Sequence, residues 1–183
     1  MMNIEDVKKC CFTGYRPQKF PFKLNNNSAQ FCILQSRIER TLTSLIDDDC
    51  KVFYSGMAAG FDILCAECVL KLKQKYPDIM LICALPYDKQ ELGYSSDWRN
   101  KFYDILQEAD KVEYISKDYS PWCFQDRNKF MVDNSDFIVC WYDGKSGGTK
   151  NTIKYAQKLN RFIINLNVEF KEELNQLQTE LNI

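Results

Sequence analysis

The chain has no histidine among its 183 residues. That excludes Ser-His and Cys-His nucleophile pairs and the usual zinc-hydrolase ligand sets. Any chemistry must come from carboxylates, Arg, Lys, Tyr, Cys or a metal held by oxygen ligands, and no metal site is expected. Charge of one sign is lacking too. Lys and Arg number 24 against 25 Asp and Glu, and the net charge of -1 gives a polyanion little general attraction. A local basic patch is compatible with that total. No run approaches the roughly 20 apolar residues that span a bilayer, so no membrane partner is expected. Internal repeats, linkers and low-complexity tracts are absent as well, and 1–183 reads as a single domain with a substantial core.

Cysteine is plentiful, at nine residues, but the count is odd and the opening Met1-Met2-Asn3-Ile4-Glu5-Asp6 is polar and acidic, without a signal-peptide pattern. Cys10, Cys11, Cys83 and Cys140 lie in apolar, strand-like runs, where a free thiol acts as a small hydrophobe. Cys65-x-x-Cys68 has no second pair and no histidine beside it, which argues against a metal or redox role. Reduced thiols in a cytoplasmic protein are the expectation.

Strand-like and helix-like segments alternate. Strands are predicted at Lys8 to Thr13, Val52 to Tyr54, Ile79 to Leu85, Lys111 to Ile115, Asp136 to Tyr142 and Phe162 to Leu166. Between them Phe31, Leu34, Ile38, Leu42, Leu45 and Ile46 recur at helical spacing, as do Ile63, Leu64, Ala66, Val69, Leu70 and Leu72. Further helices are expected at about 96–109, 127–134, 150–160 and 169–182, and a loop with exposed-type aromatics Tyr119 and Trp122 at 116–123. The continuous apolar run Ile79 to Leu85 suits a parallel strand covered on both faces. The order predicts an α/β, Rossmann-like, three-layer domain with a mainly parallel sheet, helices on both faces and a core at about 8–166.

In such sheets ligands bind outside the carboxyl ends of the strands. Three glycine-bearing junctions fall there: Thr13-Gly14-Tyr15-Arg16, Ser55-Gly56-Met57-Ala58-Ala59-Gly60-Phe61-Asp62 and Ser146-Gly147-Gly148-Thr149. Glycine lets a backbone approach an anion, and a helix start adds unpaired N–H donors and a partial positive charge. Gly14 would allow a sharp turn and Arg16 a fork for phosphate or carboxylate, or Arg16 is a solvated loop residue. Asp62 either complements a helix dipole or takes part in chemistry, and Glu67, further along, either reaches the crevice or is solvated. Arg127-Asn128 is a ligand pair or a plain helix start, and Asp143 a turn residue or a ribose-hydroxyl acceptor. The catalytic candidates are Asp62, Glu67 and Asp143. Trp98, Tyr119, Trp122, Trp141 and Tyr142 read mainly as core or rim, with one of them available to stack on a base.

Together these segments resemble the SLOG superfamily, the Rossmann-like group that joins DprA (Smf) and LOG proteins, and within it the small stand-alone YpsA/YoqJ-like proteins of bacteria and phage. The resemblance spans about Lys8 to Leu166. It rests on Thr-Gly-Tyr-Arg-Pro at 13–17, Ser-Gly-x-x-x-Gly-x-Asp at 55–62, Pro86, Trp98, Arg127-Asn128-x-x-Met131 and Ser-Gly-Gly-Thr at 146–149. It implies a nucleotide-type ligand, with the glycine loop on phosphate.

LOG proteins release the base from nucleoside 5'-monophosphates with an Arg, which Arg127 matches, and a Glu, whose position here is Thr152. Threonine cannot act as a carboxylate base, so a LOG-like N-glycosidase or phosphoribohydrolase would need Asp62, Glu67 or Asp143 instead. DprA proteins bind single-stranded DNA, and their motifs look like 14–16, 55–62 and 127–128 here. Some SLOG domains sense NAD-derived nucleotides such as ADP-ribose forms. The first expectation is therefore a sensor or sequestering module for a nucleotide, NAD or ADP-ribose-type ligand, with no firm cofactor and, as in related proteins, a homodimer. The phosphate and ligand candidates are Thr13, Gly14, Tyr15, Arg16, Ser55, Gly56, Gly60, Asp62, Pro86, Arg127, Asn128, Asp143, Ser146, Gly147, Gly148 and Thr149. Loop 15–27 and the aromatic segment 119–124 are the candidate determinants of specificity.

Overall fold

A computed structural model describes residues 7–168 and Phe170. Six strands, β1 (Lys8–Thr13), β2 (Cys50–Ser55), β3 (Met80–Leu85), β4 (Lys111–Tyr114), β5 (Phe137–Cys140) and β6 (Phe162–Asn165), form one sheet in the order β4-β3-β2-β1-β5-β6. Every neighbouring pair is parallel. Five helices fill the crossovers: α1 (Ala29–Asp47), α2 (Phe61–Lys73), α3 (Ser96–Glu108), α4 (Cys123–Asp133) and α5 (Gly148–Lys158). The proposed helix at 169–182 lies outside the described residues, apart from Phe170.

The pleat sorts side chains into two apolar layers. Cys10, Phe12, Phe53, Leu81, Cys83 and Val139 face one way, onto the apolar stripes of α1, α2 and α3. Cys11, Val52, Tyr54, Ile82, Ala84 and Ile138 face the other, onto Met131 and Val132 of α4 and Ala156 of α5. Both faces of the sheet are thus covered, as a parallel sheet requires. α1 is fixed at its start by Ser28, whose hydroxyl accepts the Phe31 amide at 3.3 Å.

Several boundaries differ from the sequence expectation. α4 begins at Cys123, about a turn before Arg127. α5 begins at Gly148 rather than Lys150, with Gly147 at φ +149° as its cap. Two 3-10 turns, Pro17–Lys19 and Gln90–Gly93, carry no periodic apolar signal and were not predicted. Burial drives the strand cysteines up, Cys11, Cys83 and Cys140 to about 12, so their thiols pack as hydrophobes.

Candidate functional site

The strand order reverses at β1, where the chain leaves β4 at one edge and returns to pair β5 on β1's other side. All three glycine junctions lie at the carboxyl ends around this point, and hydrogen bonds tie them together. The Phe61 amide at the start of α2 donates to the Tyr15 carbonyl at 3.1 Å. The Thr149 hydroxyl at the start of α5 donates to the Gly14 carbonyl at 3.1 Å. The Tyr15 hydroxyl donates to Asp143, three residues past the end of β5. One turn after β1 therefore anchors both helix starts.

The Ser55–Asp62 junction is closed by protein atoms. Ser55 is fully buried and donates to the Asp62 carbonyl at 3.0 Å while accepting the Met57 amide at 3.2 Å. Gly56 lies against the Arg127 guanidinium, which would collide with a Cβ there. Gly60, at φ +102°, packs against the Tyr15 carbonyl, and Gly14 packs against the Phe61 ring. In this junction the glycines serve close packing between segments of the chain itself.

Arg127 is 4% exposed and donates to the Gly56 carbonyl, to the Ala84 carbonyl at 3.5 Å, and through Nε to Asn128 Oδ1 at 2.8 Å. Gln90 adds donations to the Gly56 and Met57 carbonyls at 3.2 and 3.4 Å, and the Tyr94 hydroxyl one to Met57 at 3.0 Å. These clamps hold Met57 in the left-handed region at φ 55°. Gln90 and Tyr94 were not among the sequence candidates. Only the polar character of Gln90 next to a buried strand end could have flagged it.

Asp62 is 5% exposed. Burial pushes its carboxyl up to about 6, against the pull of Arg127 and Arg16 and of the Ala58 and Gly14 amides it accepts. Asp143 behaves oppositely: the Lys145 ammonium, 2.8 Å away, and the Tyr15 hydroxyl hold it down at about 2. Tyr15, buried and facing that anion, rises to about 12. Glu67 stands apart from the crevice, ion-paired to Lys101 in a groove beside Gln35, Glu39 and Trp98. Thr152 is buried and donates to the Gly148 carbonyl at 3.0 Å. Pro86 is buried, and its carbonyl accepts the Ser116 amide at 3.1 Å. Thr13 is also buried, and its carbonyl accepts the Trp141 amide at 3.2 Å.

The third junction is open. Ser146, Gly147 and Gly148 are exposed, and a Cβ at Gly148 would meet nothing within 4 Å. The left-handed backbone is at Gly147, not Gly148, so an approach to Gly148 is limited only by what sits in front of it. Lys19 lies over Gly147, with its Nζ 3.4 Å from where a Cβ would be, and 6.0 Å from the Tyr15 ring centre. Lys19 had no sequence signal beyond its charge. Arg16 is exposed and lines a cavity with Tyr87 and Tyr119, its backbone packed against Gly60.

This fold, with its strand order reversing at β1, is that of an α/β Rossmann-like protein. The sequence profile described as the YspA SLOG family, YpsA, matches residues 10–169, and the chain belongs to that family. It is 32% identical over 157 residues to the SPbeta prophage-derived protein YoqJ of Bacillus subtilis strain 168, across 78% of this chain and 92% of that one. A UPF0398 protein of Bacillus thuringiensis strain Al Hakam is likewise 32% identical over 155 residues, 83% of either chain. Among solved structures, DNA processing protein A (DprA) of Helicobacter pylori matches at TM-score 0.58 and 18% identity, over 97% of this chain and 83% of that one. DprA of Streptococcus pneumoniae matches at TM-score 0.58 and 14% identity, and there the chain spans 58% of the relative's length. These two likenesses establish the fold. No helix among the described residues is long and apolar enough to cross a membrane.

Proposed function

We propose that the chain binds a small phosphate-bearing, nucleotide-derived ligand at the start of α5 and acts as a sensor or sequestering module. The observation that carries this is the exposed Ser146-Gly147-Gly148 turn opening an 11-residue helix, with Lys19 over it and Arg16 exposed earlier in the same loop as Lys19. Unpaired N–H donors, the helix dipole and the Lys19 ammonium favour an anion there. The carboxylates nearby serve other ends: Asp143 is bound to Lys145 and Tyr15, and Asp62 to two backbone amides. That arrangement supports binding over LOG-type hydrolysis, which would also need a carboxylate where Thr152 stands.

A thermal-shift screen of AMP, ADP, NAD and ADP-ribose tests the reading. A ligand at about 100 times its dissociation constant stabilises by about 2.7 kcal/mol, or roughly 5–10 °C for a chain of this size. Arg16→Ala and Gly148→Val are each expected to abolish the shift while leaving the melting temperature of the free protein unchanged. An undiminished shift in both variants would refute the site. Release of free base from any of these nucleotides would instead establish an enzyme.

The second reading is single-stranded DNA, which the Helicobacter pylori DprA binds. Its support here is the shared fold and the cation pair Arg16 and Lys19. A gel shift of a short oligothymidylate that weakens steeply with salt would favour it.

A further inference from the structure

Arg16 also lines a second cavity of about 610 Å³, a volume typical of small-molecule sites. Tyr87, after β3, Tyr119, after β4, and Phe124, at the start of α4, line it. Their rings meet edge to face: Tyr87 and Tyr119 at 5.3 Å between centres and 77°, Tyr87 and Phe124 at 5.8 Å and 88°. Tyr119 is nonetheless 65% exposed, so much of its ring is available to a further planar group.

Gln90 also lines the cavity and is 6% exposed. Its Nε2 is used on the Gly56 and Met57 carbonyls, whereas its Oε1 is buried with no hydrogen-bond partner among the described residues. A buried acceptor in that state is destabilising unless a donor reaches it. Aromatic walls, a lone acceptor and a cation at the mouth match a nucleobase bearing an N–H edge and carried on a phosphate.

From these features we propose that the cavity is a base-binding subsite, and that Arg16 bridges it to the phosphate position on the glycine turn. The inference rests on the phosphate reading above and adds a ligand length to it. β5 and β3 stand three strand intervals apart in the sheet, about 14 Å at about 4.8 Å each. Thr149 ties the turn's helix to Gly14 at the end of β1, two strand intervals or about 10 Å from β3. A single ribose 5'-phosphate is too short for that span. A nucleoside diphosphate covers it, with its terminal phosphate on the turn, its inner phosphate at Arg16 and its base against Tyr119.

Isothermal titration of the full chain with ADP and with inorganic pyrophosphate, its base-free counterpart, separates the two subsites. The wild type should bind ADP at least about tenfold more tightly than pyrophosphate, the scale of one stacked base. Tyr119→Ala, at a largely exposed position, should bring ADP down to the pyrophosphate level and leave pyrophosphate binding unchanged. AMP should bind more weakly than ADP. Equal affinity of the wild type for ADP and pyrophosphate, or a base advantage that survives in both Tyr119→Ala and Tyr87→Ala, would overturn the subsite and leave the phosphate site standing. Failure of both probes to bind would bring down the phosphate site itself. Capture of oligothymidylate through Tyr119 with ADP ignored would reassign the aromatic surface to single-stranded DNA.

Discussion

Replacing Asp62 by Asn should change how the stability of this protein depends on pH, and the structure fixes the sign. Burial places the folded-state Asp62 at about 6, against 3.8 for the free side chain, even though Arg127, Arg16 and two amides favour its anion. Between those two values the folded chain binds a proton that the unfolded chain has released. Asp62 therefore contributes stability that is fully present below its unfolded value and is lost as pH rises through about 6. At 1.36 kcal/mol per pH unit the full effect is about 3 kcal/mol, of which about 2 kcal/mol falls between pH 4.5 and 7.5.

Asn carries no titrating proton, so Asp62→Asn serves as its own reference once other groups cancel. Its amide will fit one backbone donor and face the other, a cost that does not vary with pH. Urea unfolding at half-unit pH steps gives the difference in stability between wild type and Asp62→Asn. That difference should move against the wild type by about 2 kcal/mol from pH 4.5 to 7.5 and then level off. A flat difference, or one that favours the wild type with rising pH, would refute the account of a buried carboxyl dominated by desolvation.

Gly60→Ala should be destabilising by more than about 3 kcal/mol, because a left-handed backbone strains any Cβ and the Tyr15 carbonyl blocks it. Gly144→Ala, at φ +99° but facing open space, should cost only about 1 kcal/mol. Chemical denaturation of the pair checks both. Arg127→Met removes the donor shared by the Gly56 and Ala84 carbonyls and should cost about 2–3 kcal/mol. It should also move the Asp62 pH window upward, visible in the same stability profile, since the neighbouring positive charge is gone.

Much of the architecture was legible in the sequence because parallel strands buried on both faces are continuous apolar runs, as at Leu81 to Leu85, and because α1 repeats its apolar residues every three or four positions. The glycine junctions were legible as strand-to-helix turns. Their division of labour was not. Sequence treats Gly56, Gly60 and Gly148 alike, and only the packing of Arg127 against the first and Tyr15 against the second shows that they face protein. Nor does local sequence reveal that Glu67 turns toward Lys101 on α3, or that Gln90 reaches across 34 positions to Gly56. Such partners are decided by tertiary contacts that leave no periodic trace.

The central position of β1 also orders events during folding. Through β4 the chain can build a four-strand sheet from neighbours in sequence, but β1 then presents an unpaired edge. β5 covers that edge, and the Lys9 amide meets Asp136 only after 127 further positions. An exposed edge of this kind invites pairing with other chains, and long-range closure is slow. The same closing step sets the start of α5 on the Gly14 carbonyl, so the glycine turn reaches the end of β1 as that edge is covered.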